Sequence, residues 1–398
     1  MPKSDLIAAI EPEISAIRRD FHRHPELLFD VQRTAGIVAD KLKEWGVDEV
    51  VTGIGRTGVV GVIKGKGQDS GKVIGLRADM DALPIHEETN LEHRSTVPGK
   101  MHACGHDGHT AMLLGAAKYL AQTRDFDGTA IVIFQPAEEG GGGGREMCKD
   151  GLMERFGVQE VYGLHNMPGL PIGQFAIRKG PMMAAADRFL VKLEGRGGHA
   201  AKPNETIDPL IAACQMVTSL QTIASRNADP LDSVVVSVTA LQAGEAFNVI
   251  PQHAVIKGTV RSLSPEMRDL AEKRFREIVT GTGQAFGMKV EIEYERGYPV
   301  TFNHAGQTDF VTSATKSAFG KEAIDTTVPP TMGSEDFSFM LEERPGAYIF
   351  MGNGESAGLH HPAYEFNDKA IPVGMTYWAS LVEMAMPQRA ARATSIAW

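Results

Sequence analysis

The feature that most constrains this chain is a ten-residue stretch, 100–109, with the sequence KMHACGHDGH. It contains a thiol, three imidazoles and a carboxylate, although the whole chain has only 3 cysteines. Such a cluster is typical of a metal site: a thiolate with imidazoles suits a zinc-like ion, and imidazole or carboxylate ligands also suit nickel, cobalt or manganese. If the run before the following helix is extended, Cys104 and His106 point to the same side, toward a common ion.

The composition excludes several classes of partner. The chain has 398 residues, of which 42% are hydrophobic, so it can bury a large core, and its length predicts two domains. Its net charge of -10 is spread in mixed-sign order, without a basic run that would bind nucleic acid or a membrane surface. No apolar segment approaches the roughly 20 residues that span a bilayer, and Met1–Asp5 lacks the apolar core of a signal peptide.

The cysteines favour a reducing compartment. Cys104, Cys148 and Cys214 are odd in number and far apart, so the sequence predicts no disulfide framework. Together with the missing signal peptide, this pattern predicts a cytoplasmic protein.

Four apolar runs predict strands that end in acidic or imidazole side chains. These are Lys72–Arg77 before Asp79 and Asp81, Thr129–Phe134 before Glu138 and Glu139, Val161–Leu164 before His165, and Tyr348–Met351 before His360 and His361. In open α/β sheets, ligands bind at the carboxyl ends of the strands. We therefore expect these side chains to meet at one edge of an α/β domain with a mainly parallel sheet.

The middle of the chain predicts a second domain. Between Arg188 and Tyr294 the pattern is β-α-β-β-α-β, the order of a ferredoxin-like α+β domain. Ser264 and Pro265 suit the N-cap and first position of its second helix. We place this domain at residues 184–296, inserted into a catalytic domain that comprises residues 1–183 and 297–398.

The first part of the chain predicts a helical region from Asp5 to about Gly46. Within it, His22 and His24 precede Pro25. We interpret these histidines as polar residues at a helix end rather than as metal ligands, because proline ends a helix.

The adjacent residues Glu138 and Glu139 are expected to have different roles. Both can reach one ion only if the backbone turns between them, so we expect Glu139 to bind metal and Glu138 to stay unbound as a base beside a water that the ion activates. This arrangement would hydrolyse an amide without a covalent intermediate. The candidate ligands are Cys104, His106, Glu139, His165 and one of His360 or His361. These five side chains exceed a closed four-ligand site, and Cys104 could bridge two ions.

Neighbouring polar groups could orient the ligands. Asp79, Asp81 or Asp107 could accept a hydrogen bond from a ligand imidazole. Asp107 could equally be the N-cap of the following helix. We expect His102 and His109 to lie outside the ligand set.

Seven motifs together resemble the aminoacylase and carboxypeptidase family of metallohydrolases. They are RADMDALP (77–84), HACGHD (102–107), QPAEE (135–139), GLHN (163–166), GGHAA (197–201), GSEDF (333–337) and LHHP (359–362). The resemblance extends from about Arg18 to Pro372 and is strongest to the amidohydrolase branch of hippurate hydrolases, N-acetyl-amino-acid deacetylases and auxin-conjugate hydrolases. It implies a zinc-exopeptidase-like catalytic domain with an inserted lid and dimerisation domain, and hence a homodimer or homotetramer.

The resemblance also implies roles for individual residues. The family's metal ligands correspond to Cys104, His106, Glu139, His165 and His360, with His361 as the alternative to His360, and its general base corresponds to Glu138. His199 resembles a histidine that reaches the partner subunit's active site and polarises the substrate carbonyl. Asn248 and Arg261 occupy positions that hold the substrate carboxylate. Related exopeptidases have a bridging Asp where this chain has Cys104.

Three hypotheses follow for function. The first is an amidohydrolase with one or two divalent ions (Zn, Mn, Ni or Co) that cleaves small N-acyl amino acids. The second is a thiol hydrolase with Cys104 as the nucleophile. The third is a non-catalytic metal-binding protein with the same fold.

Overall fold

The computed structural model describes residues 2–388, which form two compact units. Unit 1 contains the described residues up to Gly180, Phe302–Pro329 and the described residues from Asp336 onward. Unit 2 contains Pro181–Thr301 and Pro330–Glu335.

The described residues contain helices and strands in alternation. The helices are α1 (Ser4–Arg23), α2 (Gln32–Glu44), α3 (His106–Thr123), α4 (Gly143–Lys149), α5 (Leu152–Arg155), α6 (Pro209–Leu220), α7 (Pro265–Ala285), α8 (Ala305–Phe319), α9 (Ser338–Glu343) and α10 (Ile371–Ala385). The strands are β1 (Glu49–Ile54), β2 (Gly58–Lys64), β3 (Val73–Asp79), β4 (Thr129–Gln135), β5 (Glu160–Pro168), β6 (Phe175–Ala176), β7 (Gly180–Met183), β8 (Ala185–Glu194), β9 (Gly198–His199), β10 (Val234–Ala243), β11 (Val249–Ile250), β12 (His253–Ser262), β13 (Lys289–Arg296), β14 (Thr301–Asn303), β15 (Ile324–Asp325) and β16 (Gly346–Gly354). Among the described residues, no helix combines the length and the apolar character needed to cross a membrane.

Unit 1 is built on an eight-stranded sheet with the order β1-β2-β4-β3-β5-β16-β6-β15. Its four central strands, β4, β3, β5 and β16, are parallel to their neighbours within this group. These strands are apolar and buried almost without interruption, as expected for a sheet covered on both faces. The predicted α/β class with a mainly parallel sheet is therefore confirmed.

Helix α3 is the most deeply buried helix beside this sheet, and it packs against α1 and α10. Glycines let these elements approach closely. A Cβ at Gly108 would lie 2.2 Å from the Phe366 ring, and one at Gly115 would lie 2.7 Å from Sδ of Met375. Because real Cβ contacts are longer than this, Gly108 requires glycine beside the rigid Phe366 ring, whereas at Gly115 the flexible Met375 side chain would have to shift. The first turn of α3 is consequently held in a fixed position in the core.

The N-terminal region differs from the sequence prediction. Instead of one helical region there are two helices, because the chain leaves α1 after Arg23 and passes through Pro25 and Leu28, whose φ of 51° is left-handed. Strand β1 was not predicted, because half of its residues are exposed and it forms the sheet edge.

Unit 2 contains a four-stranded antiparallel sheet with the order β10-β12-β8-β13. The chain order β8-α6-β10-β12-α7-β13 is that of a ferredoxin-like unit. Strand β8 alternates between buried and more exposed residues, and its buried side packs with residues of α6 and α7 such as Met216 and Phe275. Helix α7 begins after Ser264, whose side chain accepts a hydrogen bond from the Met267 N–H, as the sequence predicts.

Candidate metal centre

The polar residues that follow the central strands meet beside the first turn of α3. Asp79 ends β3, and Glu138 and Glu139 lie in the turn after β4. His165 lies within β5 rather than after it, because that strand continues to Pro168. His360 lies in the segment after β16. These side chains meet, as expected, although the predicted end of β5 was wrong.

Cys104 and His106 are brought together by a turn and not by an extended strand. Gly105, between them, has a φ of 90° and precedes the first residue of α3. A Cβ at this position would lie 2.3 Å from Nδ2 of Asn166 and 2.4 Å from the Tyr364 hydroxyl oxygen. The left-handed turn and this close packing both require glycine. The predicted alternation of side chains is therefore wrong, although both residues do face a common space.

Cys104 and His165 form the first pair of donors. Sγ of Cys104 lies 3.3 Å from Nε2 of His165, and both residues are buried. Nδ1 of His165 lies 2.6 Å from the backbone carbonyl of Asn166, which can only accept a hydrogen bond. Nδ1 therefore has the ring proton, and Nε2 presents a lone pair. Burial, together with His109, lowers the pKa of His165 well below its usual range, which keeps the imidazole neutral.

His106 is oriented in the same manner. Its Nδ1 donates to the backbone carbonyl of Asp81 at 2.8 Å, so Nε2 is the ring nitrogen that faces the donor cluster. Nε2 is fully buried and makes no hydrogen bond. It lies 3.9 Å from Oε1 of Glu139 and 3.6 Å from Oδ2 of Asp79.

The charge around His106 favours a cation. Burial lowers the pKa of this imidazole, but the carboxylates of Asp79, Asp81 and Glu139 outweigh burial and raise it to about 10. Carboxylates that attract a proton to Nε2 attract a metal ion for the same electrostatic reason.

Glu139 and His360 form the second pair of donors. Oε1 of Glu139 lies 3.3 Å from Nε2 of His360. His360 has a φ of 65°, and its backbone N–H donates to the Ala103 carbonyl at 2.7 Å. His361 is turned to another partner, because its Nδ1 accepts a hydrogen bond from the Ala363 N–H at 3.0 Å. The structure thus brings His360, and not His361, to Glu139.

Asp81 fixes the turn that contains both glutamates. Its Oδ1 accepts from the Glu138 N–H at 2.9 Å, and its Oδ2 accepts from the Glu139 N–H at 3.1 Å. Ala137, just before them, is fully buried with a φ of 55°. Left-handed backbone at a non-glycine residue is strained and persists only where its surroundings impose it. The turn between the glutamates, which the sequence argument required, is present.

The donor set fits a divalent ion. Among the described residues, the groups of donor atoms that lie within 4.8 Å of one another include Cys104 with His106 and His165, Cys104 with Glu139 and His360, His106 with Glu138 and Glu139, and Asp79 with His106 and His109. Cys104 belongs to two of these groups, as a ligand shared between two ions would. One thiolate, three imidazoles and a carboxylate are the side chains that zinc and similar transition metals prefer.

The Cys104 thiol is poorly suited to act as a nucleophile by itself. Burial, together with the nearby Glu139 and Glu138, raises its pKa well above the usual value. A nucleophilic cysteine needs a lowered pKa, because the thiolate is the reactive form. The raised pKa of the Cys104 thiol therefore argues against the thiol hydrolase.

A second layer of hydrogen bonds surrounds the donors. Oδ1 of Asp79 accepts from Nδ1 of His109 at 2.7 Å, and Nε2 of His109 accepts from the Asn166 N–H at 2.9 Å. The Asn166 side chain donates to the Cys104 carbonyl at 2.6 Å and accepts from the Tyr364 hydroxyl at 2.7 Å. Both ring nitrogens of His109 are engaged in these hydrogen bonds, and its position outside the ligand set stays a prediction. The sequence argument did not single out Asn166 or Tyr364, since neither has a distinctive spacing.

Arg77 connects two of the motifs, RADMD and GSEDF, through hydrogen bonds. This fully buried arginine donates to Oδ2 of Asp79 at 2.7 Å and to Oδ1 of Asp336 at 2.9 Å. Oδ2 of Asp336 in turn accepts from the Gly144 N–H at 2.8 Å. The RADMD and GSEDF motifs are thus joined through charge-assisted hydrogen bonds to the glycine-rich turn.

Asp107 is neither the helix N-cap nor a partner of a ligand imidazole. The N-cap is Gly105, and the Asp107 carboxylate contacts His22 at 2.8 Å and Arg18 at 3.4 Å. His22 lies in the last turn of α1, as expected, and the structure adds that it is fully buried. His102 is also buried and makes no side-chain hydrogen bond.

The other three candidate residues lie in unit 2. His199 is on β9, which pairs with β11, and the Ala200 N–H donates to the Asn248 carbonyl at 3.0 Å, so His199 and Asn248 are neighbours. Arg261 lies on β12, and its guanidinium donates to the Ser334 hydroxyl at 3.0 Å. Burial, with the neighbouring Arg188, lowers the pKa of Arg261.

The fold and the donor cluster with its adjacent carboxylate are the features of a metallohydrolase. Residues 75–384 match the model of peptidase family M20/M25/M40, and the chain belongs to this family. Its relatives place it in the amidohydrolase branch, as the motifs indicated, and it is a hydrolase.

Two curated relatives and one solved structure illustrate this likeness. Hippurate hydrolase of Campylobacter jejuni is 46% identical over 94% of this chain and 97% of its own length. N-acetylcysteine deacetylase of Bacillus subtilis is 38% identical over 95% of this chain and 98% of its own. The crystal structure of Bacillus subtilis YXEP protein, described as a dinuclear metal-binding peptidase of the M20 family, superposes with a TM-score of 0.82 at 35% identity, covering 95% of this chain and 99% of that one.

Proposed function

We propose that this protein hydrolyses the amide bond of N-acyl amino acids, such as hippurate, N-acetyl amino acids or similar conjugates. The observation that supports this most is the position of Glu138, a buried carboxylate 4.0 Å from Nε2 of His106 and next to the donor cluster. The names of the Campylobacter and Bacillus relatives both denote hydrolysis of N-acyl amino acids.

In this proposal, five residues hold one or two divalent ions. The ligands are Cys104, His106, Glu139, His165 and His360, with Cys104 as the bridge if two ions bind. Zn, Mn, Ni or Co would suit this mixture of sulfur, nitrogen and oxygen donors. An ion held there would lower the pKa of a water molecule toward about 7 and polarise the substrate carbonyl.

Glu138 acts as general base and then as general acid. Its carboxylate takes a proton from the attacking water as the oxygen bonds to the carbonyl carbon. It then gives that proton to the amine nitrogen as the carbon–nitrogen bond breaks, so that the products are a carboxylic acid and an amino acid. Asp81 supports this role, because it holds the Glu138 backbone through the hydrogen bond described above.

Residues of unit 2 recognise the rest of the substrate. Nδ1 of His199 accepts from the Ala201 N–H at 3.0 Å, so Nε2 has the ring proton and can donate it to a carbonyl oxygen. We propose that His199 of the partner subunit does this in each active site, within a homodimer or homotetramer formed through unit 2, which acts as a lid. Arg261 and Asn248 hold the substrate carboxylate, for which a guanidinium is well shaped.

The protein is also proposed to work in the cytoplasm on small molecules. All three cysteines are free, including the exposed Cys214, as expected in a reducing compartment.

The decisive experiment replaces the base and retains the metal. We expect Glu138→Gln to lower kcat by about 10²–10⁴-fold on N-benzoyl, N-acetyl and N-succinyl amino acids, because an amide cannot accept the proton. Metal content by elemental analysis should equal that of the wild-type protein. The exposed Glu92 provides the control, and Glu92→Gln should leave kcat unchanged. Full activity of Glu138→Gln would disprove the base assignment, and a metal-loaded wild-type protein that cleaves none of the N-acyl amino acids would disprove the proposed reaction.

A further inference from the structure

His22 is a buried histidine whose two ring nitrogens both face carboxylates. Nδ1 lies 2.8 Å from Oδ2 of Asp107, and Nε2 lies 3.3 Å from Oε1 of Glu87. Burial by itself lowers the pKa of His22, but the hydrogen bonds to Asp107 and Glu87 raise it to about 9. The imidazole is therefore protonated at neutral pH and donates to both carboxylates.

Through Asp107, His22 is connected to the turn that contains His106. Asp107 follows His106 directly in the first turn of α3. Arg18, also on α1, approaches the same Asp107 oxygen at 3.4 Å and forms an ion pair with Asp368 at 2.6 Å. Two cationic side chains of α1 thus hold the turn that positions the His106 imidazole.

Through Glu87, His22 is connected to the segment that contains His360. Glu87 is fixed within its own loop, because its Oε2 accepts from the Ser95 N–H at 2.6 Å. The next residue, Glu88, donates its backbone N–H to the Pro362 carbonyl at 2.8 Å. Pro362 lies two residues after His360. The loop that His22 holds through Glu87 therefore also holds the segment that presents His360.

We propose that His22 is a positioning residue that connects two of the candidate metal ligands, His106 and His360, from outside the ligand set. It touches neither substrate nor ion. It acts through Asp107 on the buried ligand and through Glu87 on the more exposed one, and the distance between the two ligands depends on it. This proposal rests on the metal site proposed above.

The geometry of His22 explains why another residue cannot replace it. Only a protonated imidazole offers two N–H donors on opposite sides of a flat ring. Lysine would provide the charge but not the two fixed directions, and neutral glutamine would remove the charge that both carboxylates face.

The test is a titration of metal-stripped protein with Co²⁺, followed through the absorption band of a thiolate–cobalt bond. Wild-type protein should show the band, which reports on Cys104. We expect His22→Ala to weaken Co²⁺ binding by at least tenfold, since lost support of metal ligands commonly costs about 10–100-fold in affinity. His24→Ala is the matched control, because His24 lies at the same helix end but its side chain pairs with Asp20 of α1 and not with Asp107 or Glu87. Its affinity should be that of the wild type.

Each outcome separates the possibilities. If wild-type protein shows no band, the proposed metal site fails and the role of His22 fails with it. If the band is present and folded His22→Ala binds Co²⁺ as tightly as wild-type protein, only the positioning role is overturned, and a lower Tm alone would then indicate a merely structural residue. If His22→Ala does not fold, Glu87→Gln decides: weakened Co²⁺ binding supports the proposal, and wild-type affinity overturns it.

Discussion

Gly105 and Asn166 approach each other so closely that no larger residue fits at position 105. A Cβ there would lie 2.3 Å from the Asn166 side-chain nitrogen, and the φ of 90° is left-handed. Asn166 also donates to the Cys104 carbonyl. This contact determines where the thiol and the first imidazole of the cluster point.

We therefore expect Gly105→Ala to lower the free energy of unfolding by about 2–5 kcal/mol, through backbone strain and overpacking together. Gly99→Ala is the matched control, because Gly99 has a φ of 75° but no atom within 4 Å of a Cβ. It should cost only about 1–2 kcal/mol of strain. Urea unfolding of both variants measures the difference, and equal losses would show that the contact with Asn166 is unimportant.

Asp81→Asn should disturb the glutamate turn. An amide has one acceptor oxygen instead of two, so one of the Glu138 and Glu139 N–H groups loses its partner. We expect kcat to fall about 10–100-fold, with weaker metal binding. Asp150→Asn serves as the control, since Asp150 accepts a similar hydrogen bond from the Gly55 N–H away from the cluster. If steady-state kinetics of the two variants agree, Asp81 does not position the turn.

Stability should depend on pH through His22. Its pKa is raised from the usual 6.5 to about 9 in the folded state. The resulting stabilisation is fully present below pH 6.5 and is lost as the pH rises through 9, because folding takes up a proton between these two pH values. The loss is on the order of 3 kcal/mol.

This dependence can be measured by urea unfolding of chelated protein between pH 6 and pH 9.5. The free energy of unfolding of His22→Gln should change with pH much less steeply than that of the wild type. Parallel slopes for the two proteins would contradict the assignment of the charge to His22.

Cys104 can be tested as ligand against nucleophile by two substitutions. Cys104→Ala should weaken metal binding at least tenfold and abolish turnover under either hypothesis. Cys104→Asp should retain measurable turnover that depends on added Mn²⁺, because a carboxylate can replace the thiolate as a ligand and prefers harder ions. Inactivity of metal-loaded Cys104→Asp, combined with wild-type activity that survives exhaustive chelation, would favour the thiol hydrolase.

Much of the fold could be predicted from local patterns. The β-branched run of β4 indicated a buried strand, and Ser264 with Pro265 marked the start of α7. These signals succeed because hydrophobic periodicity and helix capping act over a few residues. The prediction failed for β1, whose half-exposed residues gave no such signal.

The site was predictable in its chemistry but not in its arrangement. Residue types and motifs pointed to Cys104, Glu139 and the paired histidines at 360 and 361. They could not show that His361 accepts a hydrogen bond from the Ala363 N–H. Nor could they show that Cys104 and His106 are brought together by a turn at Gly105 and not by an extended strand.

The amino-acid order alone was enough to indicate the α/β class, the presence of a metal-binding donor set and the second carboxylate beside it, since these depend on side-chain chemistry and short-range pattern. Only the packed chain showed that His22 and Asp107, which lie 85 positions apart, share a buried contact. Such a pairing depends on how α1 and α3 pack together, and that packing results from the burial of the whole core rather than from any local stretch.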